Sequence, residues 1–294
     1  MVLNFTKWHG LGNDFVLMEL SPDAIPQEKI AGFAHRVCHR HFGVGGDGLV
    51  FVYCDDKGFI NMRIFNADGT EPEMCGNAIR CVAKYLYTKG LVKDTSFPIQ
   101  TKAGIKVPEV IIKDGDVTAV KVDMGEPILE SEQIPFKGER GSKVIDQEIQ
   151  VDGKKILITA VSMGNPHCIL FIDERVDQFP VHILGPQLEC HRLFPAKTNV
   201  EFVEVLDRNR VSVRVWERGV GETLACGTGA CAVAVGGSLC GHLDPSVEVN
   251  LSGGRLFVEW GSNNHVYMTG PAVEVFQGRC RVERWDKAIK QAWR

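Results

Sequence analysis

Two short stretches of this chain share the pattern Glu-x-x-x-Cys-Gly, at residues 71–76 and 222–227. A cysteine thiolate is an effective base, since a free thiol has a pKa of about 8.5 and a helix N-terminus lowers that pKa. Two thiols can therefore divide an acid–base reaction. One removes a proton from a carbon atom, and the other returns a proton to the opposite face. The pattern predicts that Cys75 and Cys226 carry a reaction of this kind.

The two cysteines lie 151 residues apart, and this spacing extends upstream of them. Residues 63–66 correspond to residues 214–217 at the same spacing, and residues 12–13 correspond to residues 164–165 at a spacing of 152. A spacing kept over this length indicates an internal duplication. We therefore predict two halves that each present one cysteine to a shared cleft.

Each cysteine directly precedes a predicted helix. Residues 77–89 place apolar side chains at helical spacing and end before Gly90, whereas residues 229–239 are apolar all round, as is typical of a buried helix. Gly76 and Gly227 let the backbone come close to a ligand. The amides of each first helical turn can then face a carboxylate and stabilise the charge that develops on it when the α-proton leaves.

Most of the remaining chain is predicted to form short strands, because β-branched or alternating segments are separated by Gly/Asp turns. Each half is then mostly sheet with one central helix. The predicted strands are Ile105–Ile112, Val117–Met124, Ile145–Val151, Lys155–Ser162, Val211–Trp216 and Arg255–Trp260.

The duplication predicts two domains. The first comprises residues 1–126 plus 272–294 and carries Cys75, and the second comprises residues 127–271 and carries Cys226. The basic tail from residue 279 onward has apolar residues in helical phase. We expect this tail helix to pack on its own protein, with a membrane-surface or partner-binding helix as the alternative.

For the other glutamates, histidines and cysteines that could react or bind a metal, we predict structural roles. Glu71 and Glu222 are predicted to be capping or turn residues rather than acids in the chemistry. Residues 38–41, Cys-His-Arg-His, have side chains that could bind a metal ion. Adjacent residues of a helix point in different directions, so we do not expect these side chains to converge on one ion. The ten cysteines form no C-x-x-C pair, so we expect most of them to be small core residues and predict no metal site.

The composition is that of an ordinary globular protein. Of the 294 residues, 44% are hydrophobic and 24% charged, which argues against disorder. A net charge of −4 without a basic stripe argues against nucleic acid as a partner. The N-terminus lacks a signal-peptide core, and the longest uncharged run, residues 223–241, contains too many glycines to insert in a bilayer. We expect a cytoplasmic protein that does not enter a membrane.

Residues 66–80, N-A-D-G-T-E-P-E-M-C-G-N-A-I-R, resemble the signature N-x-D-G-S-x4-C-G-N-[GA]-x-R of the diaminopimelate epimerase family. The one departure is Thr70, which keeps the hydroxyl group of the family's serine. The resemblance extends from about Lys7 to Gly278. Its further blocks are residues 10–15, 164–167, 198–202 and 216–229.

The resemblance implies an isomerase without a cofactor that interconverts LL- and meso-2,6-diaminopimelate in lysine biosynthesis. It implies an α/β (α+β) fold of two pseudo-symmetric domains, each a β-barrel-like sheet around a central helix. A homodimer is expected, with Phe276 at a position that some members use for dimer contact. Some members also carry Gln at the position of Gly48, so no side-chain contact is transferred there.

The family pattern also implies roles for individual residues. Cys75 and Cys226 would be the acid/base pair. We expect His167 and Glu217, one near each thiol, to set the ionisation states of the cysteines, and the family pattern implies that they modulate the pKa values of the thiols. The expected substrate contacts are Asn13, Asn66, Gly76, Asn77, Asn165, Asn199, Glu217, Arg218, Gly227 and Thr228.

Three other functions stay open at this point. A proline or hydroxyproline racemase would share the scaffold, but the asparagines and Arg218 would then lack an obvious purpose. A redox switch would join Cys75 and Cys226 in a reversible disulfide. A non-catalytic binding protein would exchange no proton at the α-carbon of its ligand.

Overall fold

The computed structural model describes residues 2–281, so the predicted tail helix lies outside the described residues from position 282 onward. The chain divides into two compact units. One comprises residues 2–122 and 271–281 of the described chain, and the other comprises Asp123–Gly270. Both units are mixed α/β structures with many strands and few helices, as predicted.

The elements follow one another in this order. The first unit contains β1 (Val2–Gly10), β2 (Asn13–Glu19), α1 (Gln27–Cys38), β3 (Gly48–Cys54), β4 (Ile60–Asn66), α2 (Gly76–Thr88), β5 (Ile99–Thr101), β6 (Gly104–Lys106), β7 (Glu109–Lys113) and β8 (Asp116–Asp123). The second contains β9 (Val144–Val151), β10 (Lys154–Ser162), β11 (Pro166–Ile172), α3 (Val181–Glu189), β12 (Asn199–Asp207), β13 (Arg210–Glu217), β14 (Gly221–Thr223), α4 (Gly227–Leu239), β15 (Ser246–Leu251), β16 (Gly254–Trp260) and β17 (Val266–Gly270). The strand β18 (Val273–Arg281) returns to the first unit.

The two units have sheets with the same succession of strands. The sheet of the first unit runs β18-β1-β2-β3-β4-β5-β6. The strands that belong to the second unit run in the order β9-β10-β11-β12-β13-β15-β16-β17, with β14 beside β13. The pairs β2/β3 and β4/β5 are parallel, as are their counterparts β11/β12 and β13/β15. The helices α2 and α4 are offset by 151 residues at both ends. The elements therefore repeat the duplication that the sequence indicates.

The central helix of the second unit is almost entirely buried. It consists mainly of Gly, Ala, Val and Cys, and packs against six strands, β10, β11, β12, β15, β16 and β17. Because these strands range from β10 to β17 in the sheet order, the sheet curves around the helix. The small side chains let the backbone of α4 approach the sheet closely: a Cβ on Gly236 would meet the Ile169 side chain at 2.7 Å.

Three features of the secondary structure were not predicted from the sequence. The helix α1 buries Ile30, Phe33, Ala34 and Val37, a helical spacing that was overlooked. The helix α3 contains Pro186, and this residue type argues against a helix interior. The predicted strand Ile105–Ile112 is wrong as a single element, because it divides into β6 and β7 around residues 107–108. Pro108 has no N–H group to donate to a ladder there.

Candidate active-site residues

Cys75 is the N-cap residue of α2, with an extended backbone at φ −140° and ψ 119°. Its thiol is partly exposed and lies 3.9 Å from Asn13 Oδ1. Gly76 and Asn77, the first residues of the helix, are buried. The sequence therefore predicts the helix start within one residue, and places Cys75 where first-turn amide groups are left without helical acceptors.

The side chain of Asn13 is held in place by two neighbours. Asn77 Nδ2 donates to Asn13 Oδ1 at 3.0 Å, and Asn13 Nδ2 donates to Asp47 Oδ2 at 2.8 Å. Arg40 donates to Asp47 Oδ1 at 2.7 Å and to Asp14 Oδ1 at 2.8 Å. The sequence reading missed Asp47 and Arg40. A sequence feature that could have indicated Asp47 is its position between glycines, in Gly-Gly-Asp-Gly at residues 45–48.

Asp14 anchors this group of charges to the sheet. It pairs with Arg40 and, at 2.5 Å, with the nearly buried Lys7. Burial opposes ionisation, but the hydrogen bonds from Arg40 and Lys7 outweigh it and hold the pKa of Asp14 well below its usual range.

Arg80 positions Asn77 from inside the first unit. This fully buried guanidinium donates to Asn77 Oδ1 at 2.8 Å, to the Gly76 carbonyl at 3.1 Å and to the Pro271 carbonyl at 3.3 Å. Because Arg80 occupies the Oδ1 atom of Asn77, the Nδ2 group of Asn77 is directed at Asn13. The sequence reading included Arg80 in the family signature but gave it no role.

Asn66 lies at the exposed end of β4. Its Nδ2 group donates to Thr70 Oγ1 at 2.9 Å, and Thr70 Oγ1 donates in turn to Asp68 Oδ1 at 2.6 Å. The threonine that replaces the family's serine therefore uses its hydroxyl group to join Asn66 and Asp68.

Glu71 and Glu222 each pair with an arginine eight residues earlier. Arg63 donates to both carboxylate oxygens of Glu71 at 2.7 and 2.9 Å, and Arg214 donates to both of Glu222 at 2.7 and 3.0 Å. Of the two predicted roles, capping is wrong, because the N-cap residues are Cys75 and Cys226. The same bidentate ion pair fastens the segment before each cysteine to the preceding strand.

Cys226 is the N-cap residue of α4, but unlike Cys75 it is buried. Its Sγ atom accepts from the Gly229 N–H at 3.4 Å and lies 3.4 Å from Thr228 Oγ1. Burial raises the pKa of this thiol well above its usual value, and the negative charges of Glu217 and Glu201 raise it further. The lowered pKa predicted for a thiol at a helix start is therefore wrong for Cys226. The two hydrogen bonds do not outweigh burial, and the thiol is protonated at neutral pH.

His167 lies on β11 with no exposed surface. Its Nδ1 atom is 2.7 Å from Glu201 Oε1, and its Nε2 atom is 3.0 Å from Asn165 Oδ1. His167, Glu201 and Cys226 each have a ligand-type atom within 4.8 Å of the other two. The sequence reading missed Glu201, whose signal was one carboxylate inside an otherwise apolar part of β12.

Asn199 joins two segments of the second unit. Its Nδ2 group donates to the Pro166 carbonyl at 2.9 Å, and its Oδ1 atom accepts from the Arg218 N–H at 3.0 Å. The exposed Arg218 side chain donates to the Ala196 carbonyl at 3.1 Å. Thr223 Oγ1 donates to Glu217 Oε1 at 2.5 Å.

The predicted site residues are linked in smaller sets within each unit. Asn13, Cys75, Gly76 and Asn77 lie together in the first unit, with Asn66 in the turn that follows β4. In the second unit, the hydrogen bonds and close distances above link the predicted residues in pairs and triplets: Asn165, His167, Asn199, Glu217, Arg218, Cys226, Gly227 and Thr228.

Cys38, in the candidate ligand cluster at residues 38–41, belongs to the hydrophobic core of the first unit. Burial raises the pKa of its thiol to about 12. Within residues 2–281, no helix is both long enough and apolar enough to span a bilayer.

Solved structures resemble this chain in fold. A Bacillus anthracis phenazine biosynthesis protein of the PhzF family matches with a TM-score of 0.69 at 19% identity, covering 96% of this chain and 100% of that one. A hydroxyproline epimerase from Agrobacterium vitis matches with a TM-score of 0.65 at 14% identity, covering 96% and 93% of the two chains. The predicted fold class is confirmed.

Sequence relatives are much more similar. A diaminopimelate epimerase of Moorella thermoacetica is 53% identical over 277 residues, which cover 94% of this chain and 98% of that one. One from Methanococcus maripaludis is 52% identical over 279 residues, covering 94% and 99%. The model of the diaminopimelate epimerase family matches residues 5–130 and 159–275. The chain is therefore an epimerase, and it belongs to the diaminopimelate epimerase family.

Proposed function

We propose that this protein interconverts LL- and meso-2,6-diaminopimelate by proton transfer between two cysteines, without a cofactor, in lysine biosynthesis. The observation that carries the proposal is the matched placement of Cys75 and Cys226, each the N-cap of the corresponding helix in its unit. The names of the relatives, at about half identity over nearly the whole chain, support the substrate.

The reaction balances without an external oxidant or metal. A thiolate removes the α-proton, and the electron pair delocalises into the substrate's α-carboxylate. The other cysteine, as thiol, then donates its proton to the opposite face of the same carbon atom. One thiol and one thiolate remain with their roles exchanged, which is the form that handles the product stereoisomer.

The raised pKa of Cys226 supports a resting state in which this residue is the proton donor. Cys75, partly exposed and beside neutral amides, would then be the base for the first substrate bound. His167 and Glu217 would modulate proton transfer at Cys226, since Glu217 is one of the two carboxylates that raise its pKa.

The substrate's two ends need different contacts. In this proposal the first-turn amides of α2 and α4, at Gly76, Asn77, Gly227 and Thr228, bind the α-carboxylate as charge develops on it. Side-chain amides and Arg218 would bind the distal amino-acid group. These side chains are Asn13, Asn66, Asn165, Asn199 and Arg218.

We propose that the chain has two functional halves with the bounds predicted from the sequence. One half is residues 1–126 plus 272–294, and the other is residues 127–271. We also propose a cytoplasmic homodimer. Its support is Phe276 on β18, which is 46% exposed and stands edge-on to Phe5 at 5.9 Å, next to the exposed Val275.

A chiral assay on LL-diaminopimelate in heavy water tests the function. We expect meso product without added cofactor, with deuterium at the inverted carbon of the product. A purified protein that racemises proline or hydroxyproline but leaves diaminopimelate unchanged would contradict the proposed substrate. Binding of diaminopimelate without any deuterium incorporation would contradict catalysis altogether.

A further inference from the structure

The two sheets differ at corresponding positions next to the cysteines. In the register of β11 and β12, His167 is opposite Asn199, and Glu201 follows two residues later. In the register of β2 and β3, Phe15 is opposite Gly48, and Val50 follows two residues later. The second unit thus has a histidine and a glutamate where the first has a phenylalanine and a valine.

Glu201 is an expensive residue to bury. It has no exposed surface, and its Oε2 atom has no hydrogen-bond partner within residues 2–281. Only the Oε1 atom is paired, with His167 Nδ1 at 2.7 Å. A buried carboxylate with one unpaired oxygen lowers the stability of a fold relative to an apolar residue of similar size. Its presence calls for a reason other than stability.

The helix α4 leaves space for this carboxylate. A Cβ on Gly229 would lie 2.6 Å from Glu201 Oε1, closer than real contacts allow, and 3.2 Å from the Cys226 Cβ, which is a tight contact. The corresponding residue of α2, at the spacing of 151, is Ala78, in the unit where valine replaces the glutamate. The unit with a glutamate at residue 201 thus has glycine at residue 229, and the unit with valine at residue 50 has alanine at residue 78.

We propose that Glu201 is a positioning residue for proton transfer at Cys226. Its Oε1 atom accepts the Nδ1–H of His167, which holds the orientation of the ring beside the thiol. Its negative charge adds to the burial and to the charge of Glu217 in disfavouring the thiolate of Cys226. The kinetic part of this inference rests on the proposed function, whereas the part that concerns Cys226 reactivity does not.

Other groups beside Glu201 also influence the pKa of Cys226. Glu217 and Glu201 disfavour the thiolate, in addition to burial, while Thr228 Oγ1 and the Gly229 N–H favour it. Removing the charge of Glu201 leaves Glu217 and the burial in place. The pKa of Cys226 should therefore fall but stay above the ordinary thiol value.

Two variants separate charge from orientation. Glu201→Gln keeps an oxygen that can accept from His167 Nδ1 but has no charge. Glu201→Leu has neither the charge nor the acceptor. Glu204→Gln is the matched control, because Glu204 lies on the same strand and accepts from the Val176 N–H at 2.9 Å without being among the groups that influence Cys226.

The first measurement is the rate of Cys226 alkylation by iodoacetamide from pH 7 to 10, followed by peptide mass spectrometry. Both Glu201 variants should be alkylated faster than wild type at pH 8, on the order of tenfold. The Cys75 peptide serves as internal reference, and Glu204→Gln should match wild type. An unchanged pH dependence of Cys226 in Glu201→Gln would overturn the charge role, even if the protein had no activity on diaminopimelate.

The second measurement is the kcat and KM for LL-diaminopimelate. Glu201→Leu should lower kcat on the order of a hundredfold with KM nearly unchanged, since His167 loses the acceptor that orients it. Glu201→Gln should recover most of that loss. Equal kcat values in Glu201→Leu and wild type would overturn the positioning role. If Glu201→Leu does not fold, a Glu201→Gln enzyme with the kcat and the Cys226 pH dependence of wild type overturns the proposal.

Discussion

The surroundings of Cys75 and Cys226 differ more than the elements that hold the two residues. Both cysteines precede helices of equal length, and both follow a segment fastened by an arginine–glutamate pair. The Cys75 thiol lies next to the amide of Asn13, whereas a histidine and two carboxylates lie around Cys226. The duplication has kept the frame and changed the groups that set proton affinity.

The difference suits a reaction that needs two unlike groups. Two identical thiol environments would compete for the same ionisation state, and neither would be committed to acid or base. A buried thiol beside carboxylates keeps its proton, so the second unit fixes one of the two states.

Removing either thiol is expected to have the largest effect. Cys75→Ala and Cys226→Ala should each lower the rate of inversion by at least about 10³-fold, because inversion needs both the base and the acid. The measurement is the chiral assay on diaminopimelate, with Cys190→Ala, an exposed cysteine of the second unit, as control. Full inversion by Cys75→Ala would show that the two cysteines are not a catalytic pair.

Exchanging glycine and alanine at the corresponding positions 229 of α4 and 78 of α2 tests whether the space beside Cys226 is needed for Glu201. Gly229→Ala should destabilise the protein by about 1–3 kcal/mol and lower kcat, because the new methyl group displaces Glu201. Ala78→Gly should cost about 1 kcal/mol or somewhat more through helix propensity and a small cavity. Urea denaturation and kcat measure both effects. Wild-type kcat in Gly229→Ala would argue that the position of Glu201 is irrelevant.

Cys226 should also make stability depend on pH. Its pKa is higher in the folded state than in the unfolded chain, so its contribution is complete below the unfolded value of about 9 and is lost as the pH rises above it. Between pH 9 and 10.5 the free energy of unfolding should fall less steeply in Cys226→Ala than in wild type. Other buried cysteines titrate in both proteins, so the difference between the two slopes is the quantity to compare. Equal slopes would contradict the raised pKa.

The smallest effects are expected at the two ion pairs. Glu71→Gln and Glu222→Gln should each cost about 0.5–1 kcal/mol, since both pairs are bidentate but partly exposed. Equal costs by urea denaturation would show that the duplicated frame is equivalent in the two units. A much larger cost in one unit would show that the pairs have diverged like the groups around the thiols.

Part of the architecture could be predicted from local patterns. The strands β8, β9, β10, β13 and β16 and the helices α2 and α4 follow closely the periodicities that predicted them. The helix α1 has equally clear periodicity and was overlooked. The helix α3 was not predicted because it contains Pro186, and proline argues against a helix interior. Of the predicted roles for Glu71 and Glu222, capping or turn residues, capping is excluded because an arginine on the preceding strand pairs with each carboxylate.

The sequence by itself determined the duplication, the family and the place of each cysteine at a helix start, because these depend on residue type and spacing along the chain. Only the tertiary structure decided which groups surround each thiol. His167 and Glu201 are 34 residues apart and meet through the parallel register of β11 and β12. Burial then reversed the pKa direction expected for Cys226, since desolvation depends on packing from the whole unit and not on the local sequence.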